Sequence, residues 1–197
     1  MYGERGVIKK QLRAQLRAQR RSVPDLEIRE KSRAVAEWVI GSKEFDRAGT
    51  VALYRACFGE VDTDDIFNAA KSAGKSLLYP HTDKANTALR FGVVGSLDRM
   101  EPGEWGIPEP PRGTQWIPVE RIDLLVMPGV AFDRLGGRLG MGGGYYDRVL
   151  AKFSEGVVRM GIAYDFQVVD SVPMDENDKR VDCLVTETGI LRFPERG

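Results

Sequence analysis

The stretch Ile122–Leu150, IDLLVMPGVAFDRLGGRLGMGGGYYDRVL, decides how the rest of the chain reads. Leu124–Met127 is a short apolar run of the length of a buried strand, and Pro128-Gly129 ends it. A glycine-dense turn follows with Arg138 inside it. Tyr145-Tyr146-Asp147-Arg148 then opens a segment, YYDRVLAKF, with the pattern of a helix. Strand, glycine turn, helix is how α/β proteins build a concave nest of backbone N–H groups at a positive helix end, which suits phosphate. Gly136, Gly137, Gly140, Gly142, Gly143 and Gly144 are more than a connection requires. Glycine at such a turn lets a ligand approach the main chain with no Cβ in the way.

Working outward, the flanking segments supply the rest of an α/β unit. Thr50–Tyr54 (TVALY) reads as a strand. Glu60-Val61-Asp62-Thr63 leads from it into a helix, DDIFNAAKSAG, with Asp62 or Thr63 as N-cap. Ser76–Tyr79 (SLLY) is the next strand, closed by Pro80. Strand, helix, strand within about thirty residues favours a parallel sheet with a right-handed crossover. Glu60 lies just past the carboxyl end of the first strand, where ligands sit in open α/β sheets. Ala88–Val94 and Val157–Ala163 are further strand candidates, and Leu184–Thr186 with Ile190–Phe193 reads as a closing hairpin around Thr188-Gly189. The passage from Gly95 to Pro118 is rich in Pro and Gly, carries Trp105 and Trp116, and is too long for a simple connection. It reads as a lid or binding loop.

Before the first strand come two helices. Glu4–Arg21 is rich in helix formers, with Ile8, Leu12 and Leu16 as one narrow apolar stripe; the second helix starts at Pro24-Asp25 and stops at Gly41. Arg5, Lys9, Lys10, Arg13, Arg17, Arg20 and Arg21 surround the stripe. Such a run is ordinarily a solvated face; the sharper reading has Lys9 and Arg13, four apart on one side, reaching an anion bound elsewhere.

Composition bounds the rest. With 197 residues and 42% hydrophobic content the chain reads as a single domain, 1–197. Lys+Arg 29 against Asp+Glu 29 leaves no net charge, so general attraction to nucleic acid or anionic membrane has no support. Cys57 and Cys183 have neither CxxC nor zinc spacing, which fits a reducing compartment. The N-terminus is charged from its start and no apolar run is long enough to cross a bilayer, so a cytoplasmic protein is expected.

Two standard nucleotide signatures fail. The turn has no lysine for a Walker loop, and from Gly140 the last glycine of GxGxxG would have to be Tyr145. Arg138 and Asp147 read either as an exposed cation beside a carboxylate favoured at a helix start, or as a polyphosphate ligand and a Mg²⁺ ligand. A second carboxylate could come from Asp175-Glu176-Asn177-Asp178 or from Asp182; such runs are usually surface. His81, the sole histidine, reads as structural or exposed, and no arrangement of Ser, His and Asp or reactive cysteine stands out.

Taken together the motifs MPGVAFDRLGGRLGMGGGYYDR, KKQLR (Lys9–Arg13), GEVDT (Gly59–Thr63), WGIPEP (Trp105–Pro110) and ENDKRVD (Glu176–Asp182) resemble, in order and over nearly the whole chain, the 5-formyltetrahydrofolate cyclo-ligase family. The resemblance implies a Rossmann-like three-layer α/β/α sandwich with a mainly parallel central sheet. It implies an ATP- and Mg²⁺-dependent conversion of 5-formyltetrahydrofolate to 5,10-methenyltetrahydrofolate by a monomer. Carried over by motif, Lys9, Lys10, Arg13, Arg138, Leu139, Gly140, Met141, Gly142, Gly143, Gly144, Tyr145 and Tyr146 would hold ATP, with Arg138 and Asp147 central to catalysis. Asp147 and Asp178 would coordinate magnesium, and Glu60, Trp105 and Met141–Tyr145 would contact the folate. The chain departs from some relatives at Met141 and Gly143, where they carry a basic residue, and at Asn177, where many carry histidine; Arg55 has no assigned role. Two rivals from other classes are a binding protein on the same scaffold without turnover, and a nucleic-acid module using the basic helix.

Overall fold

A computed structural model of the chain describes residues 2–153 and 156–194. In chain order these form α1 (Tyr2–Ser22), α2 (Asp25–Ile40), α3 (Lys43–Arg47), β1 (Thr50–Ala52), α4 (Asp64–Ser72), β2 (Ser76–Asp83), β3 (Ala88–Val93), β4 (Glu101–Pro102), β5 (Pro108–Glu109), β6 (Trp116–Ile117), β7 (Leu124–Met127), β8 (Ala131–Asp133), β9 (Arg138–Leu139), α5 (Tyr145–Leu150), β10 (Val158–Ile162), β11 (Val168–Val169), β12 (Cys183–Thr186) and β13 (Gly189–Arg192). The main sheet runs β13-β12-β10-β7-β1-β2-β3-β6. Pairings from β12 through β2 are parallel, and β13, β3 and β6 add antiparallel edges.

β7 sits between β10 and β1, and all four of its residues are buried. Leu124 and Val126 face a core shared with α2 and α4 through Val35, Val39, Ile66 and Phe67. Leu125 and Met127 face the other core, with Phe132 of β8 and Val149 and Leu150 of α5. Each such side chain contributes about 1.5–3 kcal/mol of burial, so a strand apolar on both faces belongs at the centre. The α/β class and mainly parallel sheet are as expected. The third layer is thin: the short α5 plus the small sheet β11-β8-β9, on which α1 packs through Leu16 against Val130, Ala131 and Leu139.

Several local expectations change. Pro80 does not close β2, which continues to Asp83. The Leu77 carbonyl accepts from Val94 on the β3 side and the Leu78 carbonyl from Leu53 on the β1 side. By alternation the nitrogen of Pro80 faces the side where β1 has ended, so its missing N–H breaks no ladder. Gly136 and Gly137 do not belong to the ligand turn, because Arg138–Leu139 pairs back onto β8 and makes a hairpin of that segment. Helix α5 is only six residues long, and its N-cap Gly144 is left-handed with no capping side chain. The short α3 had no separate signal between Gly41 and the first strand. Thr63 occupies the N-cap of α4, but its hydroxyl donates to the Tyr54 carbonyl while Asp62 accepts from the Asp64 N–H.

The passage 95–118 is partly ordered. β4 pairs with β5, and β6 pairs with β3. Glu109, buried, accepts from the Thr82 N–H at 3.1 Å and pairs with His81 Nδ1 at 2.5 Å, pinning this flap to β2. His81 so joins the flap to β2, half-exposed and with its ring beside that of Trp116.

Candidate active site

Strand order reverses between β1 and β7: the chain moves from β1 to β2 on one side and from β7 to β10 on the other. A crevice beyond the carboxyl ends of two such strands is the general ligand position of open α/β sheets. A cavity of about 690 Å³ opens there. Its walls come from the loop after β1 (Tyr54–Glu60), the turn after β7 (Pro128, Gly129), the glycine turn with α5 (Arg138–Asp147), the flap (Trp105–Glu109), Lys9 and Arg13 of α1, and Asp175 and Asp178.

Among the described residues no carbonyl takes the N–H groups of Gly142, Gly143 or Gly144, so three consecutive donors are left for a ligand. Gly142 has φ +105°, which side chains rarely adopt, and a Cβ on Gly143 would lie 2.9 Å from the Tyr145 ring. The anion-binding capacity of the turn rests on these donors and on nearby cations rather than on the dipole of so short a helix. Arg13 Nε donates to the Gly140 carbonyl at 2.8 Å, bringing its guanidinium against the turn. Arg148 donates to the carbonyls of Gly143 and Thr87, both at 2.6 Å, and clamps the turn from outside.

Arg138, nearly fully buried, donates to Asp147 Oδ1 at 2.9 Å. The Lys179 N–H approaches the same oxygen at 3.3 Å. Lys9 Nζ lies between Asp175 Oδ2 at 2.7 Å and Asp178 Oδ2 at 2.5 Å. Burial alone would lower the Lys9 ammonium, but these hydrogen bonds outweigh it and raise it, so it stays charged. Asp147 and Asp178 each commit one oxygen to protein donors, and among the described residues the other oxygen takes none. Each carboxylate thus keeps one oxygen open, while among the described residues no group of three or more His, Cys, Asp or Glu side chains is gathered to hold a metal ion.

Two further lining residues differ in exposure: Glu60 is 8% exposed and Trp105 61%. Burial raises the Glu60 carboxyl, while Arg20 and donors from Cys57 pull it back. Trp105 meets the Tyr145 ring edge-on at 5.8 Å and adopts φ +56°, uncommon for a bulky residue outside a constrained site. Arg55 is paired with Asp64 at the cavity wall. Cys57 also lines the cavity; burial pushes its thiol up to about 12, so it is no nucleophile at neutral pH.

All but one of the residues suggested by motif converge on this cavity. Lys10 does not reach it: one residue on from Lys9 is about 100° around the helix, and its side chain is exposed. Asp182 is held by the Arg159 N–H, outside the lining. The apolar stripe of α1 is also displaced, since Ile8 is 49% exposed. The inward face is Lys9, Arg13, Leu16 and Arg20; Arg20 backs the cavity-lining Phe58 and Glu60, a role not read from sequence although its spacing from Lys9 and Arg13 puts it on their face.

The sequence profile of the 5-formyltetrahydrofolate cyclo-ligase family matches residues 5–187. The chain belongs to this family. It is 31% identical over 182 residues to the 5-formyltetrahydrofolate cyclo-ligase of Escherichia coli K12, covering 90% of this chain and 100% of the relative. The probable 5-formyltetrahydrofolate cyclo-ligase of Caenorhabditis elegans is 30% identical over 197 residues, covering 94% and 96%. The solved 5,10-methenyltetrahydrofolate synthetase of Aquifex aeolicus superposes with a TM-score of 0.84 at 34% identity, over 96% of this chain and 95% of that one. The cyclo-ligase fold thus spans the α1 contacts, the sheet reversal and the glycine turn alike.

Proposed function

We propose that this cyclo-ligase family member converts 5-formyltetrahydrofolate to 5,10-methenyltetrahydrofolate with conversion of ATP to ADP and phosphate. The observation that carries the reading is one cavity lined by two chemically different sets of groups: three glycine N–H groups that among the described residues meet no carbonyl, with Arg13, and the buried Glu60 with Trp105. A triphosphate suits the first set, and a flat heterocycle with adjacent N–H donors suits the second.

A formamide is a poor electrophile because nitrogen donation keeps its carbon electron-rich. Attack of the formyl oxygen on the γ-phosphorus forms the O–P bond and releases ADP. N10 then attacks the formyl carbon; the C–N bond closes the five-membered ring, the C–O bond breaks, phosphate leaves and the N10 proton is lost. No enzyme nucleophile is needed, so the protein's contribution is alignment and charge neutralisation. The glycine N–H groups and Arg13 would hold the phosphates. Arg138 would hold Asp147 in place while facing the same charge, Glu60 would accept from the pterin N–H groups, and Trp105 would cover the ring. Magnesium, held by the remaining oxygens of Asp147 and Asp178, would supply neutralisation of the phosphate charge. The exposed apolar flap around Trp105 would act as a lid.

Two cysteines with no disulfide fit a reducing compartment such as the cytoplasm, and among the described residues no helix is long and apolar enough to cross a membrane. We further propose that the enzyme acts as a monomer. The test is incubation of the purified protein with 5-formyltetrahydrofolate and MgATP, following methenyl-product absorbance. ATP-dependent product is expected. Folate binding without product would instead identify a binding protein on this scaffold.

A further inference from the structure

Arg20 is the fourth inward residue of α1; it does not line the cavity itself but stands behind two residues that do, Phe58 and Glu60. It is 3% exposed, yet among the described residues no carboxylate meets it closely: Nη2 stands 3.8 Å from Glu60 Oε1, an ion-pair rather than a hydrogen-bond distance. Among the same residues Nη2 has no hydrogen-bond partner, and Nε donates to the Phe58 carbonyl at 3.0 Å. That carbonyl belongs to a strained loop, with Phe58 at φ +52° and Gly59 at φ +76°. Gly59 lies so near Arg20 that an added Cβ would stand 3.5 Å from Arg20 Cγ. The guanidinium therefore both fixes the backbone that carries Glu60 and places a charge beside its carboxylate.

Burying an arginine with an unfilled donor is costly for stability alone; a methionine of similar volume would fill the space without that cost. We propose that Arg20 is a positioning residue for substrate recognition: by holding the Phe58 carbonyl and standing beside the Glu60 carboxylate it keeps Glu60 aimed into the cavity, so that Glu60 accepts from adjacent N–H donors of the bound heterocycle. This inference rests on the reading that Glu60 contacts the folate head group.

Among the described residues, the groups facing Glu60 leave Arg20 as the cation beside it. From the β1 loop come the Cys57 N–H at 3.2 Å and the Cys57 thiol at 3.4 Å, both neutral. The Tyr54 hydroxyl at the end of β1 and the Tyr146 hydroxyl on α5 are buried and stay protonated, raised first by burial and then by Glu60 itself. From α1 comes Arg20, the cation that opposes the desolvation of Glu60. Removing that charge moves a buried carboxylate toward its neutral form, and a protonated carboxyl presents an O–H where an acceptor is needed.

The experiment is titration calorimetry of 5-formyltetrahydrofolate, without ATP, against the parent, Arg20→Met, Arg20→Gln, Arg20→Lys and Glu60→Gln from pH 5 to pH 8. The parent is expected to lose affinity on an acid limb as Glu60 protonates. In Arg20→Met the limb should move up by about one pH unit or more, lowering affinity about tenfold at a pH below it. Arg20→Gln keeps a donor for the Phe58 carbonyl and carries the same expectation should the methionine variant not fold. Arg20→Lys should return the limb toward the parent position, and Glu60→Gln should bind weakly with no limb. A limb that stays put in both neutral Arg20 variants, or that survives in Glu60→Gln, overturns this inference while leaving the proposed function standing. A parent that binds no folate overturns both.

Discussion

At the scale of single residues, several charges that line the cavity are paired with an opposite charge, Lys9 with Asp175 and Asp178, Arg55 with Asp64, and Arg138 with Asp147. Arg138 and Asp147 hold each other at 2.9 Å with Arg138 nearly fully buried, so neither is a freely solvated charge. A pre-aligned charged donor in a water-poor site is worth far more than the same pair on a surface, and its removal typically costs about 10²–10³ in rate. Arg138→Ala and Asp147→Asn are each expected to lower kcat/KM for ATP by about that factor in steady-state assays. Lys10→Ala, outside the cavity, should stay within about twofold; an equal loss there would return Lys10 to the phosphate site. Cys57 supplies a separate check. With its thiol pushed up to about 12 by burial and by Glu60, little thiolate exists at pH 8. Iodoacetamide should label Cys57 at least about a hundredfold more slowly in the folded protein than in denaturant, as read by mass spectrometry.

At the scale of elements, α1 separates what can be read from sequence and what cannot. β7 was legible because it is an apolar run bounded by Asp123 and Pro128, and burial on both faces leaves no alternation to interpret; β10 and β12 were legible from mostly apolar segments, β10 even with Arg159 inside it. The inner face of α1 was not, because apolar periodicity points to Ile8, Leu12 and Leu16 while the partners that draw Lys9, Arg13 and Arg20 inward lie 38 to 169 residues away in sequence. Charge satisfaction at a distance leaves no local mark, and it outweighs one more buried isoleucine. Leu16→Ala should therefore cost about 2–3 kcal/mol in urea unfolding, and Ile8→Ala at 49% exposure less than about 0.5 kcal/mol. Comparable losses would mean that the helix is rotated. The α3–β13 contact gives a pH signature. Arg192 Nε and Nη2 meet the two Glu44 oxygens at 2.8 Å and 3.0 Å, and this hydrogen bonding holds the Glu44 carboxyl below its usual value. A depressed carboxyl stabilises the folded state above the unfolded pKa, and the gain is lost as pH falls through the folded pKa. With Arg192 partly exposed the pair is worth about 0.5–1 kcal/mol. Glu44→Gln should lower stability by that amount at pH 7 and by nothing measurable near pH 3.

At the scale of the whole molecule, the reversal of strand order between β1 and β7 is what lets segments distant in sequence share one cavity. The glycine turn announced itself locally, whereas Glu60, Trp105 and Asp178 each had a plain structural alternative until the fold set them around the same space. An assembly of this kind is closed only in part by its own packing. Lys9 reaches Asp175 and Asp178, Arg13 reaches the turn, and Glu109 fastens the flap, but the cavity between them is wide enough for ligand to become the main bridge. A ligand touching α1, the glycine turn and the late acidic run binds only the folded chain, so its free energy adds directly to stability. At a hundred times its dissociation constant, MgATP should add about 2.7 kcal/mol, or about 5–10 °C in melting temperature for a chain of this size. Thermal unfolding followed by circular dichroism should show that shift in the parent and less than half of it in Arg13→Ala at the same nucleotide concentration. A full shift in Arg13→Ala would place the triphosphate away from the inner face of α1, because Arg13 is the α1 residue that, among the described residues, hydrogen-bonds the glycine turn.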